Sequence, residues 1–345
     1  MASLLFLFLL SYVINPLSVE AIIPSLYIFG DSTADVGNNN YLSDKAPKAN
    51  FPYYGIDFPG RTATGRFTNG FVSVDYIARF VGLPRSPPAF LSNTNGGLKW
   101  LRGVNFASAG SGISETLWID VIDIDEQIKN FKLVAADHRT RVGNRTTDRT
   151  ISKSLFSFST GSNDLFTLFQ SLDPTNKTLE NQMIESITNK FQDQLTMLYS
   201  LGARRFVVFG TGFLGCIPEI RKLVPGNNCL EDLNNLSLHF KNATKSLLQS
   251  LSSNLPGFKY TFGDVYEMLV PVFANPLQYG FREMKAPCCP PPCTLNSTYC
   301  RNRQEYYNWD SFHPTEAVYR MVAKLTLFGP PRVANPINIL ALVNT

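Results

Sequence analysis

Short apolar runs alternate with longer stretches in which apolar positions recur at helical spacing. The runs are Leu26–Phe29, Val104–Ala107, Leu155–Ser159, Arg205–Phe209 and Tyr260–Phe262, each of strand length. Between them lie amphipathic segments from Val72 to Val81, Ile184 to Leu201, Leu230 to Leu251 and Thr315 to Phe328. In the last, Val318, Met321, Val322, Leu325 and Phe328 form one stripe that predicts a core-facing helix surface. Strands alternating with helices predict an α/β protein whose parallel sheet is covered on both faces. Such sheets take their ligands beyond the carboxyl ends of the strands. Ser32, Gly110 and Asn163 each follow a predicted strand closely, so the pattern sends all three to one edge.

The ends of the chain change the picture of where it works. Leu4 to Ile14 is an apolar run of signal-peptide length, and Val19-Glu20-Ala21 is a small-residue cleavage site. The run is shorter than the roughly 20 residues a bilayer span needs. Residues 1–21 are therefore expected to be a removable leader, and residues 22–345 a single secreted domain with no transmembrane segment. Pro and Gly are spread evenly, and neither a repeat nor a linker divides the chain.

Thirty-one Lys and Arg against 27 Asp and Glu give a net charge of +4, with no basic block, so no nucleic-acid partner is implied. Five N-x-[ST] sequons, at Asn144, Asn176, Asn235, Asn242 and Asn296, fit a glycoprotein. Six cysteines, Cys216, Cys229, Cys288, Cys289, Cys293 and Cys300, read as disulfides in an oxidising compartment, with 15 possible connectivities. Cys216 with Cys229 closes a short loop and is the preferred pair, while adjacent Cys288 and Cys289 are not expected to bond each other. The competing zinc reading of Cys288 to Cys300 lacks paired C-x2-C knuckles.

Candidate chemistry starts from "YIFGDSTADVGNNNY", where an apolar strand ends abruptly and Ser32 sits at its tip. A serine hydroxyl becomes a useful nucleophile only with a base beside it, and the chain has three histidines. His138, in "AADHRTR", reads as solvated surface, and His239 lies on a helix with at least one exposed face. His313, in "NWDSFHPTEA", differs because Asp310 precedes it by three residues. A carboxylate at that spacing accepts from Nδ1–H, fixes the tautomer and leaves Nε2 free to take a proton. The bland alternative is that Asp310 caps the helix opening at Pro314. "NFASAGSGI" and "STGSNDL" supply small residues and an amide after strands, the groups needed to hold a developing oxyanion.

Taken in order, these segments carry a family resemblance. "FGDSTADVGNNNY", "TGRFTNGFVSVDYIA", "GVNFASAGSGI", "TGSNDLF" and "WDSFHPTEA", with "FGTGFLGCIPE" and "NPINI", resemble the plant GDSL-type esterase/lipase family within the SGNH hydrolases. The likeness runs from about residue 24 to the C-terminus. It implies Ser32 as nucleophile, His313 as base and Asp310 as orienting acid. It also implies an oxyanion hole from the Ser32 and Gly110 N–H groups and the Asn163 amide. The implied fold is a flavodoxin-like three-layer α/β/α sandwich with a roughly five-stranded parallel sheet, and neither metal nor cofactor is called for. Thr33 stands where the family usually has leucine, and the Cys-rich "CCPPPCTLNSTYC" is shorter and richer in proline than usual.

The expected function is therefore a secreted, extracellular ester hydrolase of the cell wall or apoplast, acting on a small or polymer-bound ester. Two other functions use the same fold: a catalytically silent binding glycoprotein, and an acyltransferase with the same triad. "GTGFLG", Gly210 to Gly215, matches a dinucleotide fingerprint, but Cys216-Ile217-Pro218 follows where a helix should open. No G-x-S-x-G elbow occurs in the chain.

Overall fold

The structure is a computed structural model that describes residues 22–345 apart from 94–96, 98, 99, 115–117, 119 and 172–175. The expected leader lies outside the described residues. Among the described residues seven strands follow one another: β1 Leu26–Gly30, β2 Leu155–Ser159, β3 Arg205–Phe209, β4 Lys259–Gly263, β5 Glu283–Pro287, β6 Tyr306–Asn308 and β7 Ala334–Pro336. The helices are α1 Ser73–Phe80, α2 Ile124–Val142, α3 Asn144–Lys153, α4 Ser162–Ser171 and α5 Lys177–Ser200. They continue with α6 Pro218–Arg221, α7 Glu231–Asn254, α8 Val265–Ala274, α9 Glu316–Phe328 and α10 Ile339–Val343.

The main sheet has the order β1-β2-β3-β4-β7, with β1 to β4 parallel and β7 antiparallel at the edge. The expected five parallel strands are thus four parallel and one reversed. Val104–Ala107 is not a ladder strand; it is an extended segment beside β1, meeting it through an isolated bridge at Asn105. Backbone bonds still tie it there: Ile28 N–H donates to Val104 O, and Phe106 N–H to Ile28 O. On its far side Asn105 N–H donates to Pro88 O and accepts at its carbonyl from Phe90 N–H. A second, two-stranded sheet pairs β5 with β6.

Side-chain alternation along the strands divides the core into two layers. Tyr27, Phe29, Phe156, Phe158, Phe206 and Phe262 face one side, where Phe131 of α2, Leu165 of α4, Phe191 of α5 and Phe240 of α7 cover them. Leu26, Ile28, Leu155, Val207 and Phe209 face the other, against Ile77 of α1, Leu269 of α8, Val322 of α9 and Leu342 of α10. Helices on both faces of one sheet make the expected α/β/α sandwich. The aromatic layer is close-packed, with Phe29 stacked on Phe158 at 4.8 Å between ring centres.

Helix α2 shows no clean stripe in the sequence because polar residues share its buried face: Gln127, Asn130 and His138 are all buried. Its start is nonetheless well made, since Asp123 caps Glu126 N–H and Asp125 and Glu126 sit in the first turn. Helix α9 buries Val318 and Val322 as expected, but its last stripe residue, Phe328, is half-exposed. It packs edge-on against Phe80 of α1 at the rim of the layer instead. Among the described residues, no helix is long and apolar enough to cross a membrane.

The cysteines are bonded Cys216–Cys229, Cys288–Cys300 and Cys289–Cys293. The preferred pair is present, and the adjacent cysteines Cys288 and Cys289 take different partners. All five sequon asparagines are exposed. Asn235 and Asn242 lie seven residues apart on α7, and the Asn176 side chain caps α5 by accepting from Leu179 N–H.

Candidate functional site

Strand β1 ends at Gly30 because nothing larger fits there. An added Cβ would fall 2.0 Å from the Ser159 carbonyl oxygen, and φ is +139°. Gln127 holds both polar groups of that glycine, accepting from its N–H at 2.8 Å and donating to its carbonyl at 2.9 Å. Buried Asp31 then turns the chain, its carboxylate accepting from the Thr33 N–H and hydroxyl. Ser32 is left at the tip, half-buried, beyond the carboxyl end of β1.

The three asparagines after it are fasteners rather than a solvated loop. Asn38 donates to the carbonyls of Asn105 and Ala107, both at 2.9 Å, and accepts from Leu91 N–H. Asn39 donates to Ala109 O and accepts from Ala109 N–H and the Ser108 hydroxyl. Asn40 donates to Thr64 O. Asp35 gathers N–H groups of Gly37, Asn38 and Ala109. Burial pushes Asp31 and Asp35 up to about 6 despite those hydrogen bonds. Together these groups lock the segment that leads into Gly110.

Gly110 has φ +90°, and a Cβ there would lie 2.7 Å from the Trp118 ring, so the turn demands glycine. Asn163 stands in the first turn of α4 and donates from Nδ2 to Ser111 O at 2.7 Å. An amide nitrogen carries two hydrogens, so this bond uses one of them, and Asn163 lines the cavity described below. Neighbouring Asp164 accepts from Ile113 and Ser114 N–H, both at 2.8 Å, pinning the same loop to α4.

His313 arrives from the opposite end of the chain. Trp309 N–H donates to His313 O at 2.8 Å, closing a tight turn between β6 and α9. Within it Asp310 Oδ1 accepts from the Phe312 and His313 N–H groups. The carboxylate meets His313 Nδ1 at 2.9 Å from Oδ2, and Nε2 lies 2.8 Å from Ser32 Oγ. With Nδ1–H donating to Asp310, Nε2 is free to accept from the serine hydroxyl. The capping alternative does not describe Asp310, because the residue flanking α9 is Thr315.

Asp310 is buried, which alone would raise its pKa. Its interactions with His313, the Phe312 N–H and the Tyr54 hydroxyl outweigh that, holding the carboxyl below its ordinary range. Tyr54 donates to Oδ2 at 2.7 Å. The sequence offers no spacing signal for Tyr54, whose partner is 256 residues away. Gln127 and Asp164 are equally silent in the sequence, while the short Asp35-to-Asn38 interval is an Asx turn that could have been read.

The other histidines stand apart from this group. His138 is buried, not solvated: its Nε2 lies 3.0 Å from the Trp100 carbonyl, and burial lowers its pKa. Charged neighbours in "AADHRTR" disguise a position that faces the aromatic layer. His239 Nδ1 pairs with Glu180 at 3.1 Å on the α7 surface.

One cavity of about 990 Å³ takes in Ser32, Gly110, Asn163, Asp310 and His313. Pro291, Pro292 and Cys293 contribute to its lining, so the proline-rich cysteine segment forms part of the wall. Gly210, Gly212 and Phe213 of the "GTGFLG" stretch line it too. Past them the chain makes a short 3-10 turn, Leu214–Cys216, and Glu231 and Asp232 open α7.

Residues 26–326 match a family model described as GDSL-like Lipase/Acylhydrolase. A GDSL esterase/lipase of Arabidopsis thaliana is 38% identical, covering 93% of this chain and 91% of the relative. A second one from the same plant is 37% identical, covering 90% and 89%. A solved acetyl xylan esterase from Geobacillus stearothermophilus is similar at a TM-score of 0.39 and 12% identity, over 88% of this chain and 93% of that one.

Proposed function

We propose, since this chain belongs to the GDSL-like Lipase/Acylhydrolase family, that it cleaves carboxylic esters through an acyl-enzyme on Ser32. The enzyme is a carboxylic ester hydrolase, and its residues divide the work between attack, proton transfer and charge stabilisation. The observation that carries the reading is the 2.8 Å contact between Ser32 Oγ and His313 Nε2, with Asp310 behind the ring.

Ser32 Oγ attacks the ester carbonyl carbon as Nε2 takes its proton. The carbonyl oxygen becomes an oxyanion, received by the Ser32 and Gly110 N–H groups and the Asn163 amide. The intermediate collapses by breaking the bond to the alcohol oxygen, which leaves with the proton from Nε2. Water then attacks the acyl-enzyme, gives a proton to Nε2, and the acid departs as Ser32 recovers its hydrogen. Asp310 stays ionised throughout and stabilises the imidazolium twice per cycle.

Hydrolysis of p-nitrophenyl butyrate, followed with pH, tests this reading. The rate is expected to rise with pH to a plateau, because the imidazole must be neutral to accept a proton. Asp310, held below its ordinary range, adds no second step above about pH 4. A rate unchanged from pH 5 to 9 would sink the assignment of His313 as base. Asn163→Ala is expected to lower kcat on the order of 10²–10³-fold, the usual loss for one oxyanion donor. Activity within threefold of the parent would remove Asn163 from that role.

The cellular setting follows the same residues. Three disulfides persist in oxidising compartments, and five exposed sequons are open to glycans. We therefore place the enzyme outside the cell, in the cell wall or apoplast, after loss of residues 1–21. Transfer of the acyl group to an alcohol instead of water would use the same intermediate. Product analysis with glycerol as competing acceptor separates the two outcomes.

A further inference from the structure

The Asp310 carboxylate takes hydrogen bonds from its own turn, through the Phe312 and His313 N–H groups and the His313 ring. It takes one more from a distant loop, where the Tyr54 hydroxyl donates to Oδ2 at 2.7 Å. Oδ2 is therefore shared between Tyr54 and His313 Nδ1. Oδ1 already fixes the carboxylate to the backbone, so the tyrosine is not needed to hold it in place.

The loop from Phe51 to Asn69 keeps that hydroxyl where it is. Its two limbs are joined by Gly55 N–H donating to Thr68 O and Asp57 N–H to Asn69 O. Tyr54 is buried, its ring edge-on to Trp309 and Phe67, and Phe67 packs against the His313 ring at 5.0 Å. Thr68 donates to Pro314 O, and Asn69 Oδ1 accepts from Glu316 N–H at 2.9 Å. Asp57 binds the Arg303 guanidinium through both oxygens, just ahead of β6. The loop supplies no reacting atom, yet it grips the turn of Asp310 and His313 on either side.

A hydroxyl that donates to a carboxylate draws charge from it. The carboxylate then pulls less strongly on Nδ1–H, and the imidazole gives up its extra proton at lower pH. Resting on the proposed function, we infer that Tyr54 is a positioning residue which, through Asp310, extends ester cleavage to lower pH. Burial and the Asp310 charge keep the Tyr54 hydroxyl protonated well above the ordinary tyrosine range, so it donates throughout. The other titratable groups whose charge reaches this pair are Asp31, beyond β1, and Tyr319 of α9. Among the described residues neither is hydrogen-bonded to Asp310 or His313, and the variants below leave both in place.

Hydrolysis of p-nitrophenyl butyrate from pH 4.5 to 9 tests this on the intact protein. Tyr54→Phe keeps the ring, removes the donor, and should unfold within about 5 °C of the parent. Its kcat/KM profile should move upward by about half a pH unit, a loss of about threefold on the acid limb. The plateau and KM should stay near the parent's. Asn69→Ala loosens the same turn but keeps the Tyr54 donor, so it should lower kcat about threefold at every pH with the midpoint unmoved. Tyr54→Phe and parent profiles that superimpose, a fall equal at every pH, or an equal move in Asn69→Ala overturns the inference. With Ser32-dependent cleavage intact, any of these removes the role of Tyr54 alone. A parent that cleaves no ester takes the proposed function with it.

Discussion

Replacing Ser32 with alanine is expected to lower kcat on p-nitrophenyl butyrate about 10⁶-fold, the scale seen when a triad nucleophile is removed. The loss is that large because nothing else can form the covalent intermediate: the imidazole then has only water to activate. Such a residual rate owes what it has to the oxyanion donors and to binding. The variant should fold as the parent does. The Ser32 hydroxyl has His313 as its hydrogen-bond partner, and the turn is held by Asp31, Thr33 and Gln127 instead. Thermal unfolding within a degree or two of the parent, with activity gone, is the expected pair of results. A loss of less than tenfold would mean another group is the nucleophile.

Asp310→Asn is expected to cost about 10⁴-fold in kcat, and the hydrogen-bond geometry says why. Asp310 Oδ1 already serves two backbone N–H groups, so an asparagine keeps its oxygen there. Its NH₂ then replaces Oδ2, facing His313 Nδ1 and the Tyr54 hydroxyl. Tyrosine can turn to accept, but the imidazole must also accept at Nδ1, which forces its hydrogen onto Nε2. That tautomer cannot take the Ser32 proton. Substrate binding is not touched, so KM should change little while kcat collapses. A variant that keeps a tenth of the parent's kcat would remove Asp310 from its assigned role.

How far this arrangement is legible in the chain depends on the range of the contacts behind it. Strands β1 to β4 can be read because both their faces are buried, leaving continuous apolar runs. Leu155–Ser159 and Arg205–Phe209 are found at their bounds. Val104–Ala107 has the composition of a strand, but its partner on one side is a loop. Helix α2 is hidden because its buried face carries Gln127, which is there to hold Gly30, and His138, which serves Trp100. Asp310 and His313 are readable because their link spans three residues. Tyr54 and Gln127 are not, because their partners are chosen by the fold and leave no spacing behind.

The separation of 281 residues between Ser32 and His313 also has a consequence in time. The hydroxyl emerges early from the ribosome, whereas its proposed base belongs to one of the last turns to be made. On the proposed roles, a nascent or truncated chain carries the serine without its base, and the two meet only when the turn that holds His313 packs at the tip of β1.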